Sequence, residues 1–170
     1  MPTPSLKAAS TYDVFLSFSW DTRNGFAGHL YKALARRKIH TFIDNMELPK
    51  GYPIITTLLK AIQGSRIAIV VLSHYYATSY YCLEELATML HCRTKGLLVI
   101  PVFYKVRPSD VRNQKGSYEK ALSKLQERFR DEEKLQKWKM ALCQVANLSG
   151  YHFEDGYTTL PIFLLQLSLY

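Results

Sequence analysis

The run IAIVVLS, residues 67–73, decides the fold. Up to its closing serine every residue is apolar, and most are β-branched. A strand with one wet face alternates polar and apolar residues. An unbroken apolar run of this length belongs to a strand covered on both faces, as in a parallel sheet. LLVIPVFY at 97–104 repeats the pattern, and YDVFLSF (12–18) and IHTFI (39–43) add two shorter strands.

Helical periods separate the strands. Phe26, Leu30, Ala33 and Leu34 form one stripe, and Ile55, Leu58, Leu59 and Ile62 form a second behind the breakers Pro49, Gly51 and Pro53. Leu83, Leu86, Ala87 and Leu90 recur at i, i+3, i+4, i+7. Two more stripes follow: Tyr118, Ala121, Leu122, Leu125, Phe129, and then Leu135, Trp138, Leu142, Val145, closed by Gly150. Arg130–Lys134 is read as the break between them, and Pro108-Ser109-Asp110 as a turn and helix start. Strand–helix alternation with short loops predicts right-handed crossovers and a doubly wound parallel α/β sheet. A fifth strand is compatible with the length and has no assigned place. The expected organisation is an N-terminal arm over 1–10, one domain over 11–150 and a C-terminal tail over 151–170.

Composition narrows the function classes. The chain has 170 residues, 48% hydrophobic and 21% charged, with formal charge +8. That charge is dispersed, and Arg36-Arg37-Lys38 is the tightest basic run. A solvated basic surface is expected and nucleic-acid binding is not. Cys82, Cys92 and Cys143 are odd in number and lack ligand spacing. They imply reduced thiols in an intracellular protein, with no disulfide framework or metal site. MPTPSLKAAS has no apolar signal core, and LPIFLLQLSLY is shorter than the roughly 20 residues that span a bilayer. The first strand ends in Phe18-Ser19-Trp20, which excludes the acid cluster of a phospho-receiver.

The segment YYATSYYCLEEL, residues 75–86, follows the third strand and therefore lies at the carboxyl edge of the sheet, where open α/β folds bind ligands. Ser79 reads as an N-cap. Glu84 and Glu85 read as first-turn acids that favour the helix dipole. On a helical wheel Glu85 falls roughly opposite the apolar stripe, on the same side as Tyr81, whereas Glu84 is most simply a solvated carboxylate.

Taken in order, YDVFLSF (12–18), DTR (21–23), HLYKAL (29–34), TFID (41–44), AIVVLSHYYATS (68–79), CLEEL (82–86), PVFYKVRPSDVRNQ (101–114) and KWKMAL (137–142) resemble the plant Toll/interleukin receptor (TIR) domain. That domain is the N-terminal module of many disease-resistance receptors. The resemblance covers roughly residues 11–150 and implies a flavodoxin-like three-layer α/β/α fold with a parallel sheet of about five strands. It also implies hydrolysis of NAD+ at the nicotinamide–ribose bond by self-associated domains, in defence signalling in the cytoplasm, with the nucleus a second compartment. NAD+ would be a substrate, with no resident cofactor, and the partners would be other TIR domains. No P-loop or leucine-rich repeat follows, so the chain reads as TIR-only or as a truncated receptor.

The catalytic glutamate of the family is the second acid of C-L-(D/E)-E-L, which is Glu85 here. Tyr81 matches a position usually held by Trp and reads either as a stacking face or as packing. Ser79 matches a pocket-lining serine and also reads as the cap. The loop after the first strand is FSWDTR where the family usually has F-R-G-x-D-T-R; it is one residue shorter, and Ser19-Trp20 ahead of Asp21 replaces an Arg-Gly that lines the nucleotide pocket. Lys50 and Gly51 lie on the loop that completes a neighbouring protomer's site. Gly28-His29 occupies the place of a Ser-His pair used in self-association, and His29 also reads as a surface residue. Lys105 and Arg107 stand where acids are common. The alternative function is an adaptor or decoy acting through TIR–TIR contact.

Overall fold

The computed structural model describes residues 11–43, 51, 53–154, 164 and 167. Strands β1 (Tyr12–Ser17), β2 (Thr41–Phe42), β3 (Ser65–Leu72), β4 (Leu98–Tyr104) and β5 (Tyr151–Phe153) form one parallel sheet in the order β2-β1-β3-β4-β5. The intervening helices are α1 (Phe26–Arg36), α2 (Ile54–Gln63), α3 (Tyr80–Arg93), α4 (Pro108–Arg112), α5 (Ser117–Phe129) and α6 (Glu132–Ala146). This is the flavodoxin-like α/β fold.

The strands are covered on both faces, as their composition requires. Phe15, Ala68, Val70 and Leu72 enter one core with α2, α3, α5 and α6. Their alternates Val14, Leu16, Ile67, Ile69 and Val71 enter a second core with α1. Period-2 alternation thus sorts apolar residues between two dry faces instead of a dry and a wet one.

Three boundaries differ from expectation. β2 keeps only Thr41–Phe42 of the IHTFI run. The break between α5 and α6 is two residues, Arg130 and Asp131. Arg130 turns left-handed at φ 50, and the Asp131 carboxylate accepts from the Lys134 backbone N–H at 3.0 Å. Residues 151–153, expected to begin a tail, form β5, paired in register Val102↔Tyr151 with β4. Three residues are too short to show a period, which hid the strand from sequence reading. Leu164 and Leu167, in the same stretch, are buried in the second core. Gly150 permits this docking, because a Cβ there would overlap the Pro101 carbonyl of β4. No described helix is long and apolar enough to cross a membrane.

Candidate active site

In a 2-1-3-4-5 sheet the chain reverses its direction of winding between β1 and β3, and the loops leaving those two strands diverge. Here α1 leaves β1 towards one face and α3 follows β3 on the other. The crevice between them is flanked by Ser17-Phe18-Ser19 at the end of β1 and Ser73-His74-Tyr75 at the end of β3.

Ser79 caps α3, its hydroxyl accepting from the Cys82 N–H at 3.2 Å. This cap puts Glu84 and Glu85 beyond the first turn, which contains no acid. The dipole therefore accounts for them poorly, since its effect fades within the first turn. Both carboxylates are buried, contrary to the wheel. Glu84 is 8% exposed and Glu85 2%. The wheel assumed one packed face, but α3 is enclosed by the sheet, α2 and α6, and Cys82, Met89 and Cys92 are buried as well as its apolar stripe.

The two acids face different partners. Glu84 Oε1 accepts from Trp138 Nε1 and from Lys134 Nζ, each at 3.2 Å, and so ties α3 to α6. Lys134 also donates to the Tyr80 hydroxyl at 2.6 Å, and this bond, ahead of Glu84, raises its pKa above the ordinary lysine value. Glu85 instead reaches the sheet, where Oε2 accepts from Ser17 Oγ at 2.7 Å. Ser17 Oγ lies 2.8 Å from the Tyr76 hydroxyl, which donates to the Cys82 carbonyl at 3.0 Å. Ser17 and Tyr76 are buried, and burial, reinforced by Cys82 and Glu85, pushes the Tyr76 hydroxyl well above its ordinary pKa.

A second polar cluster closes the edge between β1 and β3. The Ser19 hydroxyl donates to Asp21 Oδ1, and Ser73 Oγ donates to the same oxygen at 3.0 Å. Beneath it the Tyr118 hydroxyl donates to the Ser73 carbonyl at 2.8 Å. Trp20 starts a 3₁₀ turn, is 65% exposed, and lies against Tyr75 with ring centroids 5.2 Å apart. Tyr81 is 43% exposed and meets Tyr80 edge-on.

Glu85, Ser19, Trp20, Asp21, Ser79 and Tyr81 thus all lie around the β1–β3 edge or the start of α3. Gly28 and exposed His29 lie on α1, on the other side of the sheet. Gly51 is exposed at φ 86, and Lys50 lies outside the described residues. Sequence reading missed Ser17, Tyr76 and Ser73. Ser17 carried a signal: it shares the strand face of Phe15, which packs under α3, and is a hydroxyl in an otherwise apolar position. Trp138 and Lys134 carried none, because nothing local links residues 134–138 to Glu84.

Fold and site define a parallel α/β domain with one carboxylate set deep at its topological switch point. The family model described as TIR domain matches residues 11–160, and the chain belongs to the TIR domain family. Disease resistance protein RPV1 of Vitis rotundifolia is 47% identical over 155 residues, covering 90% of this chain and 11% of that protein. TMV resistance protein N of Nicotiana glutinosa is 46% identical over 153 residues, covering 88% of this chain and 13% of that protein. The chain therefore spans only a small part of the length of these relatives. The TIR domains of the activated Roq1 resistosome, which directly recognizes the pathogen effector XopQ, superpose with TM-score 0.83 at 43% identity, covering 94% of this chain and 100% of that one.

Proposed function

We propose that this chain is a plant immune-signalling TIR domain that hydrolyses NAD+ at the nicotinamide–ribose bond when self-associated, with Glu85 as its catalytic residue. The observation that carries this reading is the separation of the two adjacent acids. Glu84 is committed to Trp138 and Lys134, whereas Glu85 is held by Ser17 at the carboxyl edge of the sheet.

The chemistry suits a single carboxylate. The bond from the ribose anomeric carbon to the pyridinium nitrogen breaks heterolytically, and its electron pair leaves with nicotinamide, which departs neutral. No general acid is required for that departure. The ribosyl cation then takes hydroxide from water, which releases a proton, and ADP-ribose results. A fixed carboxylate beside the ribose stabilises the cationic centre, and Ser17 fixes its orientation. Trp20 and Tyr81 supply exposed rings for the base or ribose, and Ser19, Asp21 and Ser79 line the two sides of the crevice. Glu85 is nearly inaccessible in the single chain. Self-association, through Gly28-His29 and the Lys50-Gly51 loop of a second TIR domain, is the step that completes the site. The partners are further copies or receptor TIR domains, in the cytoplasm and also the nucleus.

One observation favours the adaptor reading. Ser19, Asp21 and Ser73 satisfy one another, and the Trp20 ring rests on Tyr75. Concentrated protein incubated with NAD+, with nicotinamide and ADP-ribose quantified, decides between the two. Glu85→Gln should lose about 100-fold or more of the turnover, and Glu84→Gln should retain most of it. No turnover in the wild type, or equal turnover in Glu85→Gln, overturns the enzymatic reading. Association with a receptor TIR domain that survives Glu85→Gln and is lost in His29→Ala would then establish the adaptor.

A further inference from the structure

A second cleft, of about 860 Å³, opens on the same carboxyl edge beyond β3. Its wall contains neither Glu85 nor Ser17. It is built by His74 after β3, the β4–α4 loop, the start of α5 and Glu154 after β5. Its volume falls in the range of small-molecule sites, roughly 300–1,000 Å³.

Four cations line it, Lys105, Arg107, Arg112 and Lys115, against two carboxylates, Asp110 and Glu154. Among the described residues none of the four cations forms an ion pair. Arg112 is the most telling. It is partly buried, its Nη2 donates to the Ala146 carbonyl at 3.2 Å, and its Nε is buried with no acceptor. Its charge is thus partly removed from water without being neutralised, a cost that an anion would offset. The loops around it are held in place before any ligand arrives. Gln114 Nε2 donates to the Arg112 carbonyl at 2.6 Å and the Val111 carbonyl at 3.2 Å. Lys105 and Gln114 adopt left-handed backbone at φ 56 and 49, which non-glycine residues keep only where the surroundings impose it.

We propose that this cleft is an anion site for the phosphate groups of a small phosphorylated molecule, distinct from the Glu85 site. Excess positive charge converging in one concavity matches a polyvalent phosphate, for which Arg forks and Lys ammonium groups are suited. A polynucleotide would instead need a charged track, and the remaining basic residues are dispersed along the chain.

The test is calorimetric titration of the 170-residue chain with inorganic pyrophosphate in 50 mM salt, with amide chemical shifts followed in parallel. Pyrophosphate is expected to bind and to shift resonances in 105–118, and adenosine, which lacks phosphate, is not. The exposed pair Arg107→Glu and Lys115→Glu, with thermal melting confirming the fold, should weaken binding at least tenfold. Glu85→Gln should leave it unchanged, so the outcome is independent of NAD+ turnover. Three results overturn the proposal: no binding at 1 mM pyrophosphate, equal binding by the charge-reversed protein, or binding of a short duplex oligonucleotide but not pyrophosphate through these residues.

Discussion

Truncating Glu84 to alanine should cost the fold about 2 kcal/mol, far more than loss of a solvated carboxylate. The Trp138 indole is 2% exposed, and its N–H donates to Glu84 Oε1. Removing the acceptor leaves that donor buried and unpaired, at about 1–3 kcal/mol. The Lys134 pair adds little, because the lysine side chain is 37% exposed and keeps its bond to Tyr80; partly solvated pairs contribute about 0.2–1 kcal/mol. Relief from burying a carboxylate offsets part of the loss. For a chain of this size each kcal/mol moves the melting point by about 2–4 °C, so Glu84→Ala should melt roughly 4–8 °C lower. Glu84→Gln retains an amide oxygen for the indole and should cost under about 1 kcal/mol. Urea unfolding is the assay, read as a lower midpoint with unchanged slope. Equal effects of Ala and Gln, or an Ala cost below about 0.5 kcal/mol, would refute the argument that Glu84 pins α3 to α6.

The Ser17–Glu85 contact predicts an asymmetry. Ser17→Ala removes a donor to a buried carboxylate and should cost about 1–3 kcal/mol, whereas Tyr76→Phe leaves that donor in place and should cost about 1 kcal/mol or less, as measured by chemical denaturation. Alkaline pH should also destabilise the fold. Burial raises the Tyr76 and Tyr118 hydroxyls, and the Tyr80 bond raises Lys134, so their contributions are complete below about pH 10 and are lost as pH rises through the folded-state values. Melting temperature recorded from neutral to alkaline pH should fall less steeply in Tyr118→Phe than in the wild type, and parallel curves would contradict this.

The fold was legible because its two central strands are apolar along their whole length, which a strand with a solvated face does not tolerate. Helices α1, α2, α5 and α6 were legible because each shows one stripe to one core. α3 misled for the opposite reason: it is surrounded, so no single stripe describes its burial, and the buried acids at 84 and 85 looked like surface residues. Their partners lie 54 and 68 residues away in sequence, and only the folded chain brings them together. The choice of Glu85 over Glu84 came from the family pattern. The geometry separates the two acids: Glu84 is tied to buried Trp138 and half-buried Lys134 on α6, and Glu85 to Ser17 on β1.

The sequence resemblance implies two departures, a missing residue in FSWDTR and Gly28 in place of Ser, and the structure gives them one physical connection. The 3₁₀ turn Trp20–Thr22 delivers the Arg23 carbonyl onto α1, where a Cβ at position 28 would overlap the carbonyl oxygen. The backbone at Arg23 is held by its own N–H, which donates to the Trp20 carbonyl at 3.3 Å, and its guanidinium lies over the Phe18 ring with 5.1 Å to the centroid. A serine at 28 would gain a few tenths of a kcal/mol in helix propensity over glycine and lose about 1–3 kcal/mol to overpacking. Gly28→Ser should therefore melt below the wild type. If the short loop is the cause, inserting one residue between Phe18 and Ser19 should release the carbonyl and make the same substitution neutral or stabilising. A Gly28→Ser protein as stable as the wild type would break the connection. So would an insertion that leaves the serine variant as unstable as before.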